Sequence, residues 1–161
     1  AGWITLHSGI AGGGDIIWIP EIDYREELIA DFVLKRAKRQ GCTIAVVAEG
    51  IRKPDKMSAG QYIGQVINTL TNLETRVTVL GYIQRGGTPS ATDRIIATRF
   101  GTAALEMIVN NEFGKMVALQ NDNIVSIDLR EVEGKLKLVS PEDELIKSAR
   151  SLGTCFGAKD I

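Results

Sequence analysis

Two short runs carry residues whose types and spacing suit chemistry on an anion. In VTVLGYIQRGGTPSATDR an apolar stretch ends in Gln84, Arg85, Gly86 and Gly87. A guanidinium fork matches the oxygens of a phosphate, and glycines let backbone come close to a ligand. The second run is AVVAEG, where an apolar stretch ends in Glu49 and Gly50. A carboxylate accepts hydrogen bonds from sugar hydroxyls, so Glu49 and Arg85 read together as a sugar-phosphate pair. The competing reading makes Glu49 a solvated loop acid and Arg85 the partner of a surface carboxylate.

These residues need elements that place them on one rim, and the hydrophobic pattern predicts such elements. Gly2 to Ala11 reads as a helix closed by the glycines at 12 to 14, and Asp15 to Pro20 as a short apolar strand. Arg25 to Gln40 is a predicted helix with acids in its first turn and bases in its last, which suits the helix dipole. Thr43 to Ala48 is a second strand, continuously apolar as strands covered on both faces are. Ser58 to Leu73 is a third helix and Arg76 to Ile83 a third strand. Strand, helix, strand, helix, strand is the order of an α/β fold, a three-layer Rossmann-like parallel sheet with helices on both faces. In such sheets ligands bind at the carboxyl ends of the strands, which here offer Glu21, Glu49, Tyr82, Gln84 and Arg85.

Further along, a long helix follows Ser90 to about Asn110, Lys115 to Leu119 is a strand, and Asn123 to Leu129 an extended edge. REVEGKLKLVSPEDE is a polar connector with Pro141 opening a last helix to about Leu152. Arg76 and Arg85 stand nine residues apart. On one extended strand, at about 3.3 Å per residue, that is roughly 30 Å, too far to share a small ligand within one subunit. Arg76 therefore serves another site or forms an edge salt bridge.

Other candidates point to structure. GIAGGGD is rich in glycine, but its glycines follow a helix and precede a strand, the reverse of a phosphate-binding loop, so helix termination is expected. His7 has no ligand partner at metal-binding spacing. Lys35, Arg36, Lys38 and Arg39 read as a solvated helix end or as help for an anionic effector, and the stretch from Ile51 to Lys56 reads as a charged loop.

Composition limits the partners. The 161 residues are 44% hydrophobic and carry a formal charge of −1, so nothing favours nucleic acid or an anionic membrane surface. Cys42 and Cys155 lack the spacing of a disulfide framework or zinc site, which suits a reducing cytoplasm. No apolar run has membrane-spanning length. The absence of an initiating Met suggests a processed, tagged or partial chain.

Taken together, AGWITLHSGIAGGGDIIWIPE, AVVAEG, VTVLGYIQRGGTPSATDRIIATRFG and MVALQND resemble the carboxyl-terminal half of a 6-phosphofructokinase. LGYIQRGGTPSATDR is specific to that family. The resemblance implies phosphoryl transfer from ATP or pyrophosphate to the 1-hydroxyl of fructose 6-phosphate, in glycolysis, with Mg2+ accompanying the donor. It implies that Glu49 accepts from the sugar hydroxyls, that Arg85 binds the 6-phosphate, and that Arg76 reaches the sugar phosphate of an adjacent subunit in a homo-oligomer. Tyr82 stands where many bacterial ATP-dependent members have histidine, and is expected to contact the ligand without charge. Near the bacterial effector site only Lys38 and Asp15 match in character, so effector control is not carried over.

By the same resemblance, residues 1–84 form the fructose 6-phosphate-binding domain, 85–134 a crossover segment on the donor-domain side, and 135–161 a carboxyl-terminal helix returning to the sugar domain. The donor site, catalytic base and metal contact are expected upstream, with no catalytic or metal residue in this chain. The alternative is a non-catalytic sugar-phosphate-binding or regulatory module.

Overall fold

A computed structural model describes residues 2–39 and 41–158. The chain forms two compact units, one of Ala1–Val79 with Lys137–Ile161 and one of Leu80–Leu136.

The first unit contains helix α1 (Trp3–Ala11), strand β1 (Ile16–Trp18), helix α2 (Glu26–Ala37), strand β2 (Ala45–Val47), helix α3 (Ala59–Thr71) and the last helix, Glu144–Ser151. Strands β1 and β2 are parallel, with Ile16 opposite Ala45 and Trp18 opposite Val47. On its other edge β1 meets Cys155, which bridges Ile16 in parallel and exchanges backbone hydrogen bonds with Asp15 (2.9 Å) and Ile17 (3.0 Å). Thus β1 is the central strand. Its side chains alternate between two cores. Ile16 and Trp18 join Ile29 and Val33 of α2 and Ile63 and Ile67 of α3, while Ile17 and Ile19 join Leu6 of α1 and Ile146 and Ala149 of the last helix. Helices therefore cover both faces, the α/β arrangement expected from the sequence. Each large side chain so buried contributes about 1.5–3 kcal/mol relative to exposure.

Local chemistry explains the boundaries. At the end of α1 the Gly14 N–H donates to the Gly9 carbonyl (2.7 Å) and the Gly13 N–H to that of Ile10 (3.2 Å), while Gly13 takes φ +68°. This is the Schellman stop, and it confirms that the glycine cluster ends a helix. Helix α2 begins with Glu26 and Glu27 and ends with Lys35 and Arg36; its expected end at Gln40 lies outside the described residues. Ser58 and Gln61 form a capping box at the start of α3, and left-handed Asn72 closes it.

The third expected strand does not form. Residues 72–80 have neither helix nor strand, and Gly81–Arg85 is a 3-10 turn. The apolar, β-branched run fits a strand, but a strand exists only where a sheet edge pairs with it, and among the described residues no ladder reaches this run. Instead, the Thr75 hydroxyl donates to the Gly64 carbonyl of α3 (3.1 Å). Val77 lies so close to the same helix that a Cβ on Gly60 or Gly64 would meet it at 2.8 Å. The roughly 30 Å spacing expected between Arg76 and Arg85 on one strand falls with that strand.

The second unit holds the 3-10 turn, helix α4 (Ala91–Val109), and strands β3 (Lys115–Gln120) and β4 (Asn123–Asp128). The expected edge is one arm of a hairpin, β3 and β4 pairing antiparallel from Lys115–Asp128 to Gln120–Asn123. Its two turn residues, Asn121 and Asp122, both have positive φ (46° and 67°), as a twist-matched two-residue turn requires. Arg99 of α4 donates to the Asp122 carbonyl at 2.6 Å and so fastens helix to turn. The expected polar connector begins in a short helix, Leu129–Val132, capped by Asp128. No described residue of this unit is buried, and apolar Ile95, Leu105, Ile108 and Val109 of α4 are exposed.

Candidate functional site

In the first unit the candidate residues stand just beyond the carboxyl ends of β1 and β2. After β2 the Ala48 N–H donates to the Trp18 carbonyl (2.8 Å), and the Ile51 N–H donates back to the Ala48 carbonyl (3.4 Å). This closes a four-residue turn with Glu49 and Gly50 at its centre. Ala48 and Ile51 are buried in the core at its two ends, whereas Glu49 is exposed. Among the described residues nothing bonds to the Glu49 carboxylate, so its oxygens face solvent with their full accepting capacity.

Glu21, beyond the end of β1, has a different role. Its Oε1 accepts from the Gly2 N–H (3.0 Å) and the Val139 N–H (3.2 Å), tying the start of α1 to the segment before the last helix. Burial works to raise its pKa, but the backbone donors of Gly2, Val139 and Glu21 itself outweigh it, so the carboxyl titrates below its ordinary range. Glu21 is a strut, and no sequence pattern announces it because Val139 lies 118 residues away.

Arg76 is exposed and its Nε lies 3.3 Å from Glu74 Oε1, the edge ion pair that one reading of the sequence gave it. No hydrogen bond or ion pair joins it to Glu49 among the described residues.

In the second unit the 3-10 turn holds Tyr82 and Arg85, with Gly81 at φ +54° and Gly87 at φ +106°. The Arg85 guanidinium lies over the Tyr82 ring, 5.2 Å from its centroid. Tyr82 is 81% exposed, and Arg85 has no ion pair among the described residues. The guanidinium sits within cation–π range of the ring, and no described residue accepts from its N–H groups, so they remain available to an oxyanion. The following TPSATD is a helix start. Ser90 Oγ accepts from the Asp93 N–H (3.2 Å), and Asp93 Oδ2 accepts from the Ser90 N–H and hydroxyl (2.8 Å each). Those bonds, the hydroxyl first, lower the Asp93 pKa. The structure therefore brings together Tyr82 with Arg85 in one unit and leaves Glu49 and Arg76 as separate groups of the other.

The remaining candidates are structural. His7 is exposed and packs its ring against Trp3. Asp15 pairs with Arg36 (2.8 Å) and accepts from the Ile44 N–H (2.8 Å), tying α2 and the entry to β2 to the start of β1. Lys35 pairs with Asp31 along α2 (3.4 Å). Cys42 is an exposed free thiol, and Cys155 Sγ accepts from the Gly157 N–H (3.4 Å). No helix among the described residues is long and apolar enough to cross a membrane.

The family described as Phosphofructokinase matches residues 1–108. An ATP-dependent 6-phosphofructokinase 3 of Bacteroides thetaiotaomicron is 51% identical over 158 residues, covering 98% of this chain and 47% of the relative. A pyrophosphate–fructose 6-phosphate 1-phosphotransferase of Streptomyces coelicolor is 40% identical, covering 88% of this chain and 46% of the relative. A solved pyrophosphate-dependent phosphofructokinase from Marinobacter aquaeolei superposes with a TM-score of 0.76 at 23% identity, covering 97% of this chain and 42% of that one, and shares the fold. The chain spans about half the length of the curated relatives it matches.

Proposed function

Because this chain belongs to the phosphofructokinase family, we propose that it supplies the sugar-phosphate-binding part of a 6-phosphofructokinase. That enzyme transfers a phosphoryl group from ATP or pyrophosphate to the 1-hydroxyl of fructose 6-phosphate. The observation that carries the reading is Arg85: exposed, stacked on Tyr82, and set between two glycines of positive φ without a carboxylate partner among the described residues.

In this reading the Arg85 fork takes two oxygens of the 6-phosphate, and the Tyr82 hydroxyl adds a neutral donor. Glu49, on a turn whose ends are buried, accepts from the sugar hydroxyls. These residues bind and orient the acceptor, and in-line transfer then depends on positioning and charge stabilisation. Arg76, paired with exposed Glu74 in this chain, exchanges that weak partner for the sugar phosphate of a neighbouring subunit in a homo-oligomer. Among the described residues no three His, Cys, Asp or Glu side chains are grouped to hold a metal ion. We assign the magnesium, the donor site and the catalytic base to the part of the enzyme that this chain does not span.

We assign residues 1–84 and 135–161 to the sugar domain and 85–134 to the donor side. The exposed apolar side chains of α4 support a partner surface there. A cytoplasmic, glycolytic role follows from the substrate class. The test is a steady-state assay of the full-length protein with fructose 6-phosphate and either donor. Turnover with at least one donor, lost on Arg85→Ala through a raised KM for the sugar phosphate, supports the reading; binding without turnover replaces it with a non-catalytic module.

A further inference from the structure

Glu49 offers its carboxylate from the tip of a turn, and such a tip is only as well placed as the chain that leaves it. Immediately after the turn, the Arg52 carbonyl accepts a hydrogen bond from the Tyr24 hydroxyl. Among the described residues, this is the only side-chain hydrogen bond to the backbone of residues 49–57. The Arg52 guanidinium folds back over the Tyr24 ring, 5.7 Å from its centroid. Tyr24 is itself fixed: it is 6% exposed, and its ring meets Trp18 of β1 edge to face at 5.1 Å and 82°. A continuous set of contacts thus runs from the central strand through Trp18 and Tyr24 to the residue three places beyond Glu49.

We propose that Tyr24 is a positioning residue for the Glu49 turn, acting through the Arg52 carbonyl and so setting the affinity for the sugar. The inference rests on the sugar-phosphate reading of Glu49. Ala48 and Ile51 anchor the two ends of the turn through burial, and the Ile51 N–H to Ala48 carbonyl bond that closes it is long at 3.4 Å, so the chain leaving the turn needs a further hold. The directional bond from Tyr24 to the Arg52 carbonyl supplies that hold. Burial, with nearby Glu26, holds the Tyr24 hydroxyl above its ordinary pKa. Without it the turn samples more conformations, and sugar binding must order them.

The test is Tyr24→Phe in the full-length enzyme, a change that keeps the ring, its packing on Trp18 and its face for Arg52. Loss of one such hydrogen bond should raise the fructose 6-phosphate KM about fivefold, with kcat and the donor KM unchanged. Arg52→Ala, which retains the carbonyl acceptor, should shift the same constant less. If Tyr24→Phe leaves the sugar KM unchanged while Glu49→Ala raises it, the positioning role is wrong and the site assignment stands. If Tyr24→Phe lowers kcat and the thermal midpoint together without a selective KM effect, Tyr24 is only a structural residue. If Glu49→Ala itself leaves the sugar KM unchanged, the site assignment fails and this inference with it.

Discussion

The Arg85 guanidinium rests over the Tyr82 ring at 5.2 Å, so the two side chains act as one unit. The ring limits where the guanidinium can swing, and the guanidinium's edge remains available for phosphate. If Arg85 takes the 6-phosphate as proposed, Arg85→Ala in the full-length enzyme removes two charge-assisted hydrogen bonds and should raise the fructose 6-phosphate KM by about 100-fold or more. Tyr82→Phe keeps the stack and should cost no more than about fivefold. Initial-rate measurements over sugar-phosphate concentration check both, and an unchanged KM in Arg85→Ala would remove this residue from the site.

Arg76 and Glu74 make an exposed ion pair, a kind of contact that contributes little to folding. Arg76→Ala should therefore leave the thermal midpoint unchanged and, if Arg76 serves a neighbouring subunit as proposed, raise the sugar-phosphate KM. Subunits carrying Arg76→Ala, mixed with subunits carrying Arg85→Ala, should recover part of the lost activity if each site draws on two subunits. Recovery of none would return Arg76 to its surface ion pair.

Glycine at position 9 is a packing requirement, because a Cβ there would come within 2.7 Å of the Ile17 side chain. Alanine is the better helix former by about 1 kcal/mol, but forced overpacking costs about 1–3 kcal/mol, so Gly9→Ala should destabilise. Gly13→Ala meets no neighbour within 4 Å and is penalised only by its φ of +68°, at about 1–2 kcal/mol. Urea unfolding of both variants separates the two causes. A Gly9→Ala protein as stable as the parent would mean that α1 can back away from β1.

Glu21 gives the first unit a pH dependence of known sign. Its folded-state pKa is depressed, so its contribution to stability is present above the ordinary glutamate range and is lost as pH falls through that range toward the folded value. Denaturation midpoints measured from neutral pH downward should fall less steeply in Glu21→Gln than in the parent. Parallel curves for the two proteins would show that the carboxylate is not what holds Gly2 and Val139.

Most of the first unit was legible because its signals are local. DIIWIP reads as a short apolar strand, TIAVVA as a strand covered on both faces, and the glycines after α1 as a stop; each depends on residues within a few positions. Arg76–Ile83 misled for the same reason. Its composition is that of a strand, but pairing is decided by whether a sheet edge is available, and composition carries no information about that. Within the candidate site, Glu49 and Arg85 were visible from their place after apolar runs and beside glycines. The stack of Arg85 on Tyr82, the strut made by Glu21 and the hold of Tyr24 on Arg52 depend on three-dimensional proximity, and no spacing rule predicts them.

The parallel bridge between Ile16 and Cys155 also sets an order of events during synthesis. Strand β1 leaves the ribosome well before position 155, and one of its edges stays open until that residue has been made. The whole of the 80–136 unit emerges in the interval. At translation rates of about 5–20 residues per second, that edge waits roughly 7–28 seconds. For that time a strand edge flanked by apolar side chains is a target for chaperones and for mispairing with other nascent chains.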